Sequence, residues 1–380
     1  MADVGGSWDD RFVGVRDAVG NLIDSGQDVG CSACVVVEGE VVADVWAGWT
    51  DPEKTSAWER DTIVNVWSTT KTMTALSALV LADRGELDVD APVARYWPEF
   101  AQAGKEGVLV RHLLSHTAGL PGWDPPITLE ELCDWDTSVS RLAAQAPWWE
   151  PGTASGYHAL SQGQLVGEVI RRITGVSIGT FFAKEIAGPL DADFHIGTDP
   201  VHFDRITNVI APPDLTLGGD TEPPNEIARK MLASTPGLTA QVAHTEAWRR
   251  AEFPAGNGHG NARSVARIQA VVSNGGSSGG VQILSKSPEE LIFREQCNGT
   301  DYILNMPLRH GIGYGLPSDM IPLPSTRSCF WGGWGGSLVI NDFENRMTVA
   351  YVMNRMGDGT TGDMRAAMVM GAAYGGLLGA

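Results

Sequence analysis

The chain has 380 residues, 46 acidic and 27 basic, for a formal charge of −19. A partner surface of phosphates needs a Lys/Arg-rich face, so neither nucleic acid nor an anionic membrane is expected as a partner. With 43% hydrophobic and 19% charged residues, the composition is that of an ordinary globular protein with ample material for a core, not of a disordered chain.

The first ten residues lack both the basic and the apolar stretch of a secretory signal, so a cytoplasmic location is expected. From Asp9 to Asp24, Phe12, Val15, Val19, Leu22 and Ile23 recur at helical spacing. Two β-branched runs follow, Cys31 to Glu38 and Val41 to Ala47, and the Gly39 turn between them predicts a hairpin. A strand-like run from Ile63 to Trp67 gives way to a helix over 72–84 (Met73, Leu76, Leu79, Val80), which Gly85 is placed to stop. Residues 86 to 230 read as mainly helical, including Leu129 to Ala146 and Leu160 to Thr174. Ala262 to Ser273 is an amphipathic helix closed by Asn274-Gly275-Gly276. Strands return at Ser337 to Asp342 and Met347 to Asn354. The final tract predicts a packed helix, because its roughly 15 uncharged residues after Arg365 are too few to span a bilayer.

This order predicts an α/β (α+β) fold. Residues 1–85 and 231–380 form a discontinuous sheet domain, 86–230 a mainly helical domain, and the active site lies in the cleft between them.

Five cysteines, at 31, 34, 133, 297 and 329, offer no disulfide framework. Cys31 and Cys34 have C-x-x-C spacing but sit in a predicted strand, whereas a redox pair should open a helix. No H-E-x-x-H or His/Cys cluster has ligand spacing, so neither a metal nor a cofactor is expected. Gly275 to Gly279 matches G-x-S-x-G, yet it closes a helix where a nucleophile elbow should open one.

Ser68-Thr69-Thr70-Lys71 is S-x-x-K at a strand-to-helix junction, with Lys71 one turn beyond Ser68 on the same face. A serine needs an adjacent base, and a desolvated lysine can serve as one. The free N–H groups of a first helical turn also favour charge developing on a bound carbonyl. By itself the pattern describes a capping serine and a solvated lysine as well.

Several ordered motifs extend it. They are Arg84-Gly85-Glu86-Leu87-Asp88, Tyr96-Trp97-Pro98-Glu99-Phe100, Leu113-Leu114-Ser115-His116-Thr117-Ala118-Gly119-Leu120-Pro121, Pro151-Gly152, Tyr157, Asn261 to Arg267, and Trp331-Gly332-Gly333. Together they resemble the serine β-lactamase-related proteins of class C type, which include family VIII carboxylesterases, DD-peptidases, D-aminopeptidases and acyltransferases. The resemblance covers nearly the whole chain. It implies a β-lactamase/DD-peptidase-like fold, Ser68 as nucleophile, and Tyr157 as proton shuttle in a Y-x-N-like triplet whose third residue is Ala159. Beside an ammonium a phenolate is favoured, so Lys71 and Tyr157 are expected to work as a coupled pair.

The family's K-T-G is replaced by Trp331-Gly332-Gly333, a form similar to some family VIII esterases. The replacement removes the lysine that would meet a substrate carboxylate. The resemblance further implies that the backbone N–H groups of Ser68 and Trp334 form the oxyanion hole, and that Trp331, Gly332 and Gly333 bind substrate. Trp123 and His158 are expected to line the cleft. His116 and His259 are given no catalytic role.

The expected activity is hydrolysis of neutral small-molecule carboxylic esters with short to medium acyl groups, through an acyl-enzyme on Ser68. Acyl transfer, β-lactamase or peptidase-type amide hydrolysis, and a non-catalytic ligand-binding role are the alternatives.

Overall fold

A computed structural model describes residues 2–211, 222–234 and 238–379. Its largest sheet has six strands: β1 (Val4–Trp8), β2 (Gly30–Val37), β3 (Glu40–Gly48), β4 (Ser328–Gly332), β5 (Leu338–Asp342) and β6 (Met347–Met353). Their order is β1-β3-β2-β6-β5-β4, antiparallel throughout, so both ends of the chain build one sheet. The β2–β3 hairpin turns at Glu38 and Gly39, which both take positive φ, and a register shift at Val35/Val36 bends it.

Side chains alternate across β2, β5 and β6. Ser32, Thr348 and Asn341 face helix α4 (Ala262–Ser273). Ser32 Oγ accepts from the Ala262 N–H, Thr348 shares a hydrogen bond with Ser273, and Asn341 donates to Gln269. The opposite face is covered by α1 (Val13–Asp24) and α5 (Met364–Leu378), the first and last helices, packed on each other.

Helix α2 (Thr70–Asp83) is buried from Thr70 through Leu81, and its hydroxyls at Thr70, Thr72, Thr74 and Ser77 are satisfied by backbone carbonyls within the core. It packs against α3 (Ser161–Thr174) and α4. Gln269 of α4 donates to the Thr72 carbonyl and accepts from Tyr314, so buried polar contacts join the two helices.

The helix expected over Leu129 to Ala146 is broken. Asp134, in extended conformation, separates Leu129–Cys133 from Trp135–Ala144 and caps the second by accepting from the Thr137 N–H. A small second sheet joins Phe194–His195, His259–Gly260, Ile63–Asn65 and Ile206–Thr207. Two of its strands therefore come from within residues 86–230, the segment read as mainly helical: Ile206–Thr207 pairs with the strand that leads into Ser68, and Phe194–His195 joins through His259–Gly260.

The strand Val4–Trp8 was not anticipated. Its Gly5-Gly6 pair carries no strand signal, and only glycine fits at position 6, where φ is +123° and a Cβ would fall 2.0 Å from the Asp44 carbonyl oxygen. Among the described residues, no helix is long and apolar enough to cross a membrane.

Candidate active site

The chain leaves strand Ile63–Asn65, makes a single 3₁₀ turn at Trp67–Thr69 and enters α2. Trp67 sits at φ +48°, a costly conformation for a bulky residue, and its indole is held between Trp248 and Trp334 at centroid distances of 5.9 and 5.0 Å. Ser68 follows it, half-buried among fully buried neighbours.

Lys71, one turn later, is 2% exposed. Its Nζ lies 3.0 Å from Ser68 Oγ and donates to the carbonyls of Ala159 and Ala255, each at 2.8 Å. The Tyr157 hydroxyl donates to Ser68 Oγ at 2.7 Å, and Lys71 Nζ lies 4.9 Å from the phenol ring centroid. The structure thus brings Ser68, Lys71 and Tyr157 to one point from three segments.

Burial decides the charge states. Among the described residues no carboxylate pairs with Lys71, and desolvation holds its pKa well below the ordinary lysine range. A neutral amine has two protons and one lone pair. The Ala159 and Ala255 carbonyls take the protons, leaving the lone pair for Ser68 Oγ. Burial also pushes Tyr157 up to about 12, outweighing the lowering effect of its hydrogen bond to Ser68. Desolvation thus disfavours the charged form of both groups and works against the expected phenolate beside an ammonium.

Tyr157 is fixed from both sides. Its backbone N–H donates to Asp301 Oδ1 at 3.0 Å, an oxygen that also accepts from Ile303 and Leu304. Its ring meets His116 edge-on at 4.9 Å and Trp331 at 5.5 Å. His116, at φ +61°, is buried and held neutral by desolvation, and its Nδ1 accepts from the His158 N–H.

Two residues expected to line the cleft do something else. Trp123 is fully buried and donates its indole N–H to the Ser138 carbonyl in the core. His158 is also fully buried. Its Nε2 accepts from the Leu120 N–H and its Nδ1 meets the Gly156 carbonyl, so the ring ties together the loops beneath Tyr157. Both belong to the packing because a ring with every polar atom satisfied internally has nothing to offer a ligand. His259 is likewise buried in the small sheet, with Nδ1 on Thr198.

On the far wall, Ser337 stitches the Trp331-to-Ser337 segment to the turn that carries Ser68. Its hydroxyl donates to the Val66 carbonyl at 2.8 Å and lies 2.9 Å from Thr69 Oγ1. Gly333 is needed there, since a Cβ would stand 2.3 Å from both Val66 O and Ser337 Oγ. Gly332 is needed too: a Cβ would fall 2.4 Å from the Thr361 backbone. Among the described residues, no acceptor meets the backbone N–H of Ser68 or of Trp334. Gly333→Ala is expected to displace this wall from Ser68 and to lower by about a hundredfold any turnover that depends on that hydroxyl; steady-state kinetics beside a thermal melt checks it.

Sequence reasoning missed the Ala159 and Ala255 carbonyls, Asp301 and Ser337. Backbone acceptors carry no side-chain signature, although Ser337 closes the noticed glycine-rich run. The C-x-x-C thiols lie buried in β2 with their pKa values pushed well up by desolvation, and Ser277, the serine of the G-x-S-x-G match, sits in a two-residue strand after the end of α4 with its hydroxyl donating to the Asn274 carbonyl. Among the described residues, no three His, Cys, Asp or Glu side chains converge as a metal site.

A serine beside a buried lysine and a tyrosine, on an antiparallel sheet flanked by helices, defines the β-lactamase class of active-site serine proteins. The beta-lactamase family model matches residues 15–373, and the chain belongs to that family. It is 34% identical over 361 residues to the esterase/beta-lactamase LipL of Mycobacterium tuberculosis, covering 92% of this chain and 83% of LipL. It is 26% identical over 371 residues to the esterase EstB of Burkholderia gladioli, covering 90% and 89%. The crystal structure of a family VIII carboxylesterase superposes with a TM-score of 0.92 at 38% identity, covering 98% of this chain and 99% of that one.

Proposed function

We propose that the protein is a serine carboxylesterase that hydrolyses small neutral esters through an acyl-enzyme on Ser68. The observation that carries this reading is the placement of Ser68 Oγ 3.0 Å from a buried, carboxylate-free lysine and 2.7 Å from a tyrosine hydroxyl. The names of LipL, EstB and the family VIII carboxylesterase support an ester as substrate. Trp331 standing where a carboxylate-binding lysine would be expected supports a neutral one.

In this reading Lys71 Nζ takes the Ser68 proton as Oγ bonds to the ester carbonyl carbon, and the carbonyl oxygen becomes an oxyanion. The unpartnered N–H groups of Ser68 and Trp334 receive it. As the intermediate collapses, the bond to the alkoxy oxygen breaks and Tyr157 supplies that oxygen's proton, drawing its replacement from Lys71. Water then attacks the acyl-enzyme, giving its proton to the same pair. The carboxylic acid leaves, and Ser68 recovers its proton. The indole rings of Trp331 and Trp334 would shape the acyl site for short to medium chains. The five free thiols suit a reducing compartment such as the cytoplasm.

The test compares p-nitrophenyl butyrate with a chromogenic cephalosporin. Ester turnover should dominate in kcat/KM, and faster cephalosporin turnover would sink the esterase reading. Tyr157→Phe keeps the ring packing but removes the transferable proton. It should lower kcat by about 10² to 10⁴ with little change in melting temperature, measured by steady-state kinetics and circular dichroism.

A further inference from the structure

The segment Trp331 to Gly336 carries four glycines, with Gly335 at φ +90° and Gly336 at φ +129°. Such a chain is conformationally permissive, yet an oxyanion donor works only if it is fixed before the reaction. The hydrogen bonds that fix it come from elsewhere. Gly333 N–H donates to Ser337 O at 2.7 Å, and Gly335 N–H to Gly359 O at 2.8 Å, so the peptides on both sides of the Trp334 N–H are tied. The Gly335 carbonyl then accepts from Gly357 N–H at 2.8 Å and from Arg365 Nη2 at 2.6 Å.

Arg365, in the first turn of α5, is 6% exposed and fully engaged. Nη1 donates to Asp28 Oδ1 at 2.5 Å and to the Arg355 carbonyl at 2.8 Å, with a longer contact to Gln27 O at 3.4 Å. Nε and Nη2 grip Asp363 Oδ2 at 3.0 and 2.6 Å. Asp28 is itself held by the Tyr351 hydroxyl of β6. The cluster fills the space against Gly336, where a Cβ would stand 2.5 Å from Asp363 Oδ2 and 2.6 Å from Arg365 Nη2.

We infer that Arg365 is a positioning residue for the oxyanion hole: anchored on Asp28 and Asp363, it clamps the Gly335 carbonyl and so aims the Trp334 N–H. The inference rests on the esterase reading given above. Its logic is geometric. The planar guanidinium reaches two carboxylates and two carbonyls at once, and a lysine ammonium has neither the donors nor the fork to do so.

Arg365→Lys is the primary variant. The double variant Asp28→Asn/Arg365→Gln removes the cation together with its fully buried counter-charge, leaving only the partly exposed Asp363 carboxylate without its partner. If Arg365→Lys does not fold, the double variant decides. For each folded variant, kcat and KM for p-nitrophenyl butyrate are measured with the inhibition constant of n-butylboronic acid. That acid forms a tetrahedral adduct with a nucleophilic serine, and one boron-bound oxygen takes the oxyanion position.

The expected result is a loss in kcat of about ten- to a hundredfold with KM within about twofold, and boronate binding weakened by the same factor. A purely structural role would lower melting temperature without this matched loss. Wild-type kcat and boronate affinity in a folded variant would overturn the inference, as would a kcat loss with boronate affinity intact. Failure of the underlying reading looks different: the wild-type protein would not bind the boronate, and Ser68→Ala would keep its activity.

Discussion

Ser68→Ala is expected to reduce kcat for p-nitrophenyl butyrate by about 10⁴-fold or more, because no other group can form the acyl-enzyme and what survives is binding and the oxyanion donors alone. Fold and stability should be nearly untouched. Ser68 is the half-buried member of its turn, and its hydroxyl is contacted by Lys71 and Tyr157, both held independently by Ala159, Ala255 and Asp301. Labelling with a fluorophosphonate and mapping the peptide gives the direct readout. Label should appear on the peptide carrying Ser68 in the wild-type protein and be absent from the variant. Full activity in Ser68→Ala, or label confined to another peptide, would refute the proposed mechanism.

Lys71→Met should be nearly as damaging, lowering kcat by about 10³ to 10⁴. Methionine fills a similar unbranched volume in a buried site but cannot accept a proton. The variant leaves the Ala159 and Ala255 carbonyls without their donor, at about 1–3 kcal/mol for each unsatisfied group, so a lower melting temperature is part of the expected outcome.

The pH profile distinguishes a base from a packing residue. Lys71 must be uncharged to act, so wild-type kcat/KM should rise with pH through its lowered pKa and reach its plateau well before an ordinary lysine would titrate. Tyr157, pushed up to about 12, stays protonated across the neutral and mildly alkaline range and adds no falling limb there. The residual activity of Lys71→Met should lose the Lys71 limb.

The same shift has a sign for stability. Between the lowered folded value and the ordinary value near 10.5, the unfolded chain binds a proton on Lys71 that the folded chain does not. Stability from this group therefore increases with pH across that window, and Lys71→Met should flatten that slope in pH-dependent melts.

The elements legible from sequence were those whose periodicity reflects a single packing surface. Helix α4 reads directly because Asn261 caps it, with Ser264 returning the bond, and one face of it meets the sheet. The β2–β3 hairpin reads from β-branched runs around Gly39. The edge strand Val4–Trp8 did not read, since its pairing comes from β3 and not from its own glycine-rich residues. The break at Asp134 within an otherwise helical stretch was lost for a similar reason: an aspartate suits either a helix surface or a cap, and only packing chooses.

The candidate site divides in the same way. Ser68, Lys71 and Tyr157 are visible as motifs because their chemistry demands those residue types. Trp123 and His158 resemble pocket residues in sequence and are core residues in space, because aromatic rings serve both purposes equally well.

The amino-acid sequence alone determined the net negative charge, the residue types at the proposed nucleophile, the absence of lysine at Trp331 and the order of the main helices and strands. Only the tertiary structure decided the charge states and the donors. Burial of α2 and of Tyr157 disfavours the charged forms of Lys71 and Tyr157, and the polar atoms that hold Lys71 and the Trp334 loop are backbone carbonyls of Ala159, Ala255 and Gly359 and the guanidinium of Arg365, drawn from segments far apart in the chain. Desolvation and backbone hydrogen bonding depend on what surrounds a residue, and for this protein the surroundings exist only once both ends of the chain have met in one sheet.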